Sequence, residues 1–306
     1  MAHKRIVLAG GSGNIGKLLS FILIHLEYEV VILSRNTKKS NQPKLKYVQW
    51  DGETLGDWYS ELEHVDTIIN LSGKSIQCRF TESNKKELLD SRILPTKVLG
   101  EAIAKLKIAP RLWINFSGIS KFEGLSGMHD EYSESNSDTF LAHLTNEWEK
   151  TFYSTEIQNT TKVVLRLSPV LSRKFGMLKE LYPLAKLGLG GRVADGNQYV
   201  SWIHELDLVR LVIWIINHDN PSLIYHASSP FPETNENFMR KLRKTLGTSI
   251  GVPLPTILAK VGAYIKGVES DMLLLNNAVK SSKTINEGFT FSYGDINQAF
   301  EHLTKK

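Results

Sequence analysis

The residues between Val7 and Gly16 have the types and spacing to hold a phosphate. The run Val7-Leu8-Ala9-Gly10-Gly11-Ser12-Gly13-Asn14-Ile15-Gly16 sets glycines at 11, 13 and 16 and also at 10, 13 and 16. The first spacing is GxGxxG and the second GxxGxxG; glycine is common, so neither is informative alone. Context adds the information: an apolar strand-like run leads in and an amphipathic helical run leads out. Glycines there allow a tight turn and a close approach of backbone to ligand. The helix start then aims unpaired N–H groups at a pyrophosphate. The alternative is an ordinary strand–turn–helix corner.

The end of the second strand-like run reads Ser34-Arg35, with Lys38 and Lys39 beyond. A carboxylate at that point would bind the ribose 2′-hydroxyl of NAD. Arginine suits a 2′-phosphate, because its planar fork makes paired, charge-assisted bonds. The expected cofactor is therefore NADP(H), set against a solvated basic turn. Proton-transfer candidates are fewer. Ser117 and Ser120 stand at the end of the fifth strand-like run, either as reacting hydroxyls or as strand-end caps. His204 is either an acid–base group near a cleft or a hydrogen-bonded structural histidine. Cys78, the single cysteine, reads as inert packing and excludes an internal disulfide or a cysteine zinc site. No HExxH and no carboxylate–histidine cluster is present in the sequence, so no metal is expected.

These residues need elements to position them. Strand-like runs fall at 5–9, 30–34, 47–49, 67–71, 112–117 and 162–167. Helical runs fall between them at 16–26, 55–62, 82–107 and 139–153. That alternation predicts a doubly wound parallel α/β sheet with both faces covered. Pro95 lies inside the third helical run and predicts a break or kink near Leu94. Beyond Leu167 a glycine loop at 188–191, a strand at 199–203, a helix at 207–217 and a strand at 223–227 are expected. From Thr234 the pattern is mostly helical. The expected division is a dinucleotide-binding domain over 1–233, with substrate-lobe insertions after 170, and a smaller, mostly helical C-terminal lobe over 234–306.

The chain has 306 residues, 42% hydrophobic and 23% charged, with 37 Lys plus Arg against 32 Asp plus Glu. Such a chain buries a large core without staples, which excludes disordered and fibrous classes. The basic excess is spread along the chain rather than gathered on a stripe with aromatics, so no nucleic-acid partner is expected. The densest apolar stretch, 206–216, carries Asp207 and Arg210 and is too short to span a bilayer. No signal peptide is read at the N-terminus. No membrane partner and a cytoplasmic location are the expectations.

The glycine loop resembles that of the extended short-chain dehydrogenases/reductases. The resemblance runs on through Asn70-Leu71-Ser72-Gly73, Asp90-Ser91-Arg92, Leu187-Gly188-Leu189-Gly190-Gly191, Ser201-Trp202-Ile203-His204 with Asp207, and Thr234-Asn235. Together these are similar to the atypical "epimerase family proteins", over nearly the whole chain. The resemblance implies a Rossmann-type fold and an NADP site, without a known reaction. It places cofactor contacts on Gly10, Gly11, Ser12, Gly13, Asn14, Ile15 and Gly16, on Ser34 and Arg35, on Leu71 and Ser72, and on Glu87 and Arg92. Arg92 either holds a phosphate or makes a helix-surface salt bridge.

Working members of that superfamily use a Tyr and a Lys four residues later on one helix face. Only Tyr182-Lys186 has the spacing here, and it follows the sixth strand-like run instead of preceding it. The expected helix reads Phe140-Leu141-Ala142-His143-Leu144, which offers neither proton donor nor lysine. Glu147-Trp148-Glu149 on that helix matches a family feature, with a structurally paired glutamate and a core tryptophan expected. The leading expectation is an NADP(H)-binding oxidoreductase or epimerase-like enzyme with unusual catalytic residues, Ser117 and His204 being the candidates. It would act on an unidentified small-molecule substrate. The alternative is a noncatalytic NADP(H)-binding sensor or scaffold.

Overall fold

The computed structural model describes residues 4–269, 274 and 276–305. Residues 1–3, 270–273, 275 and 306, parts of the N-terminal and C-terminal readings above, lie outside the described residues. The strands are β1 (Arg5–Ala9), β2 (Glu29–Ser34), β3 (Leu45–Gln49), β4 (Thr67–Asn70), β5 (Leu112–Gly118), β6 (Thr161–Leu167), β7 (Val170–Leu171), β8 (Tyr199–Val200), β9 (Ile203–His204), β10 (Ile224–Ala227) and β11 (Glu233–Thr234). The helices are α1 (Asn14–His25), α2 (Glu82–Ala104), α3 (Phe140–Ser154), α4 (Gly176–Lys186), α5 (Glu205–Asn217), α6 (Asn235–Thr245), α7 (Thr256–Lys266), α8 (Lys283–Asn286) and α9 (Ile296–Thr304).

Seven strands form one parallel sheet in the order β10-β6-β5-β4-β1-β2-β3. Alternate strand residues face opposite layers. Ile6, Leu8, Ile32, Ile69 and Ile114 pack on Leu19, Leu23, Leu211 and Ile215 of α1 and α5. Val7, Ala9, Ile68, Trp113 and Val164 pack on Val98, Leu99 and Phe152 of α2 and α3. With both faces covered, the strands are apolar throughout, and the fold is the expected Rossmann-type doubly wound sheet. From β1 the chain runs outward to β3 and returns beyond β1 to β4. The crevice between the β1 and β4 exits is therefore the switch point where such sheets take ligands.

Three local expectations are corrected. No break occurs at Leu94: α2 runs unbroken through Pro95. Pro95 leaves the Ser91 carbonyl without its helical donor, but Thr96 Oγ1 donates to the Arg92 carbonyl at 2.7 Å and reinforces the turn. The proline ring is buried, and a Cβ on Gly52 would meet its Cγ at 3.3 Å, so packing holds the helix through the proline. The helix expected at 55–62 is a 3-10 helix over Asp57–Leu62. The strand expected at 199–203 is two short strands, interrupted where Ser201 turns to bond Asn277 and Val279 and Trp202 enters the core.

A separate core joins Leu171, Leu178 and Trp202 to Phe238, Met239 and Phe300. The helices α4, α6 and α9 pack around it, so this lobe draws on segments before and after β10. Glu131 ties the C-terminal segment back to the sheet. Its carboxylate accepts from the amides of Ser282 at 2.9 Å and Lys283 at 3.0 Å and from His226 N at 3.2 Å.

Candidate functional site

The exits of β1, β2, β4 and β5 are laced together by short bonds. Gly10 N donates to the Leu33 carbonyl at 2.9 Å and Leu71 N to the Ala9 carbonyl at 2.8 Å. Ser72 N donates to Asn70 Oδ1 at 3.1 Å, and Asn70 Nδ2 donates to Asn115 Oδ1 at 2.7 Å. Gly10 has φ +71, and a Cβ there would lie 2.9 Å from the Ser72 backbone. A Cβ on Gly16 would lie 2.2 Å from the Gly11 carbonyl. Those glycines are demanded by the fold itself.

Gly13 is different. Its φ of -72 and ψ of 179 suit any residue, and a Cβ would meet only the Gly10 carbonyl, at 3.8 Å. It is also the N-cap of α1, with no side chain bonding the first-turn amides. Ser12 and Asn14 are exposed beside it. Two further observations fit a bound anion. Ser72 Oγ is buried without a partner, and so is Nε of Arg92. The Arg92 guanidinium donates to the Leu88 and Lys74 carbonyls, both at 3.0 Å, and no carboxylate among the described residues pairs with it. Burial lowers its pKa to about 10. The salt-bridge alternative for Arg92 is thus not realised. Glu87 pairs with Lys74, so Glu87 and Arg92 both hold the loop leaving β4.

At the end of β2, Ser34 is buried and donates to the Asn36 carbonyl at 2.6 Å. Arg35 is exposed and, among the described residues, is the one cation lining a cavity of about 600 Å³ with Trp50, Asp51, Glu53, Asp57 and Trp58. Asp51 is turned onto its own loop. Bonds from Thr54 and Glu53 hold its carboxyl below the usual range.

The proton-transfer candidates are bonded into the fold. Ser117 Oγ donates to Glu149 Oε1 at 2.8 Å. Glu149 also accepts two bonds of 2.8 Å from the Arg166 fork, and Lys121 lies 3.7 Å away. Burial pushes the Glu149 carboxyl up, but Arg166, Lys121 and the Ser117 hydroxyl outweigh it and hold it below its ordinary value. His204 Nδ1 accepts from Leu206 N at 3.0 Å, capping α5, which leaves Nε2 to donate to His302 Nδ1 at 3.1 Å. The Phe140 ring packs on Phe80 at 5.2 Å, Leu144 is buried, and Tyr182 lies 3.4 Å beneath the Arg173 guanidinium. A structurally paired glutamate within 147–149 was expected, but its partner, Arg166, was not. Its signal was an arginine in the apolar strand Val163-Val164-Leu165-Arg166-Leu167, which requires a buried acid.

Burial, with the nearby His302, lowers His204 to about 3, and burial lowers His226 to about 4, both from an ordinary 6.5. Both rings are neutral in the fold. Below pH 6.5 the unfolded chain takes up protons that the folded chain refuses, so stability is present above that pH and is lost as pH falls toward 4. Urea midpoints should fall steadily from pH 7 to 5, before the low-lying carboxylates titrate, and His226→Gln should flatten the slope. A flat wild-type profile over that range would contradict the assignment.

The chain resembles known proteins over nearly its full length. It is 29% identical over 304 residues to an epimerase family protein of Staphylococcus epidermidis, covering 99% of each. It is 29% identical over 299 residues to the epimerase family protein YfhF of Bacillus subtilis, covering 97% of each. A crystal structure of human epimerase family protein SDR39U1 with NADPH superposes with a TM-score of 0.87 at 27% identity, covering 98% of both chains. A nucleoside-diphosphate sugar epimerase from Corynebacterium glutamicum gives 0.78 at 26% identity, over 98% of this chain and 58% of that one. Residues 6–227, from β1 to the end of β10, match the model of the NAD dependent epimerase/dehydratase family. The glycine loop, the switch-point crevice and that match lead to one conclusion: the chain belongs to the NAD dependent epimerase/dehydratase family.

Proposed function

We propose that the chain is an NADP(H)-dependent oxidoreductase of the epimerase type, with no Tyr–Lys pair on α3. The observation that carries the cofactor part is Gly13, a glycine the fold does not need at the uncapped start of α1. The residues proposed to hold the cofactor are Gly10 to Gly16 with Leu71 and Ser72 at the crevice, Arg92 and Glu87 around the next loop, and Ser34 and Arg35 at the ribose end. When bound, the nicotinamide supplies hydride transfer. The NADPH bound to the human relative supports the choice of phosphate-bearing cofactor. A cytoplasmic location goes with the single cysteine.

Phe140 and Leu144 favour a second reading, a noncatalytic NADP(H) sensor or scaffold. Turnover separates the two. General acid catalysis is typically worth about 10² to 10⁴ in rate, so UDP-glucose and UDP-galactose should turn over barely above background even with the oxidised cofactor, NADP+, bound to accept the hydride. Vigorous epimerisation abolished in folded Tyr182→Phe would return the reaction to a Tyr–Lys pair. Vigorous epimerisation lost in Ser117→Ala would assign the hydroxyl that Glu149 now holds. No turnover with any substrate, alongside tight NADPH binding, selects the sensor.

A further inference from the structure

The helix α7 is packed inside out. A surface helix normally turns its large apolar residues to the core and its small or polar ones to water. Here only Ala259 and Ala263 are buried, while Ile257 and Ile265 are 76% and 78% exposed and Leu258, Val261 and Tyr264 are exposed beside them. Two alanines anchor the helix, and its aliphatic bulk faces out.

The apolar surface continues onto α4. Val252 N donates to the Gly188 carbonyl at 2.8 Å and Gly191 N to the Val252 carbonyl at 3.1 Å, which sets exposed Ile250 and Val252 against exposed Leu187 and Leu189. That contact lies at the C-terminal end of α4 and just before the start of α7. At the other end Lys266 reaches Glu180, early in α4, at 2.6 Å. The two ends of α7 are therefore tied to α4 and to the loop that follows it. Half of the large apolar residues exposed on the described chain fall within 184–189 and 250–265. Scattered apolar residues are normal on a surface, but a patch of this continuity is the mark of an interaction face.

Charge selects the occupant. Over 176–191 and 246–269 the chain carries Lys179, Lys186, Lys260 and Lys266 against two acids, Glu180, which Lys266 neutralises, and Glu269, whose carboxylate accepts from Phe80 N at 3.1 Å, and Arg79 adds a further cation over the Tyr264 ring. A second copy docking by a two-fold axis would set this basic patch against itself, and like charges across an interface are costly. Exposed aliphatic side chains and a tyrosine among lysines, on a helix without acids, suit a helix lying in the plane of a bilayer interface. We propose that α7 and the end of α4 form a peripheral docking surface for an anionic lipid bilayer. This involves no spanning segment: no helix among the described residues is long and apolar enough to cross a membrane. The earlier expectation of no membrane partner rested on the lack of such a segment. The surface adjoins the end of the loop between β4 and α2, since Arg79 donates to the Tyr264 carbonyl at 2.7 Å and Glu269 N to the Cys78 carbonyl at 3.1 Å.

The test is co-sedimentation of the full chain with vesicles of phosphatidylcholine, with and without about 30% phosphatidylglycerol. The bound fraction should be at least about tenfold greater on the anionic vesicles and should fall in high salt. Ile257→Ser with Ile265→Ser should abolish binding while leaving the thermal midpoint unchanged, because both residues are exposed. Lys260→Gln with Lys266→Gln should weaken it at least about fivefold. Equal sedimentation on both vesicle types, or none, overturns the proposal. So does a dimer in analytical ultracentrifugation that the isoleucine variant dissociates, since that would make a second copy the occupant.

Discussion

Gly13→Val should abolish dinucleotide binding while leaving the fold intact. The extended backbone at Gly13 accepts valine, and the nearest protein atom to a new Cβ is 3.8 Å away. The methyl groups would instead stand over the first-turn amides of α1, which no side chain caps. Those amides are the groups that a pyrophosphate would use. We expect NADPH affinity to fall at least about a hundredfold, roughly 2.7 kcal/mol, in calorimetric titration, with an unchanged thermal midpoint. Gly16→Ala provides the contrast. Its Cβ would overlap the Gly11 carbonyl at 2.2 Å, so that variant should lose stability first. Wild-type affinity in folded Gly13→Val would mean that the cofactor does not approach this turn.

Glu149→Ala should be strongly destabilising. Arg166 is 4% exposed, and its guanidinium donates twice to the Glu149 carboxylate. Removing the acid leaves a buried guanidinium repelled by Lys121 and without a hydrogen-bonding acid, with the Phe122 ring 5.7 Å away as weak compensation, a defect that typically costs about 3 to 5 kcal/mol. For a chain of this size the melting point should fall on the order of 10 °C. Glu149→Gln keeps acceptors for Ser117 and part of the fork and should lose less. A paired replacement, Glu149→Leu with Arg166→Met, should recover much of the loss, because no lone charge remains. A melting point within about 2 °C of wild type in Glu149→Ala would show that Arg166 finds another partner.

The parts of this structure legible in the sequence are those set by local pattern. The strands β1, β2, β4, β5 and β6 are short apolar runs between helical periods, and each was readable to within a residue or so. The glycine loop was readable as a unit, but not which glycines serve the fold. Gly10 and Gly16 are fixed by Ser72 and by the Gly11 carbonyl, whereas Gly13 touches almost nothing. That division depends on neighbours far along the chain. Pro95 suggested a break that does not occur, because its cost is local, while burial against Gly52 is not. Arg92 left two readings open until the structure gave it two carbonyls and, among the described residues, no acid. Ser117 and His204 were chosen by type. Their partners, Glu149 and His302, lie 32 and 98 residues away, beyond the reach of any spacing rule.

The central claim is an NADP(H) site with Arg35 at its phosphate-reading end. The most direct measurement is calorimetric titration of the wild-type chain and Arg35→Ala with NADPH and NADH at one fixed salt concentration. The wild type should bind NADPH at least about tenfold more tightly, roughly 1.4 kcal/mol, and Arg35→Ala should remove most of that preference while leaving NADH affinity nearly unchanged. Equal affinities, tighter NADH, or a preference undiminished in Arg35→Ala would contradict the account.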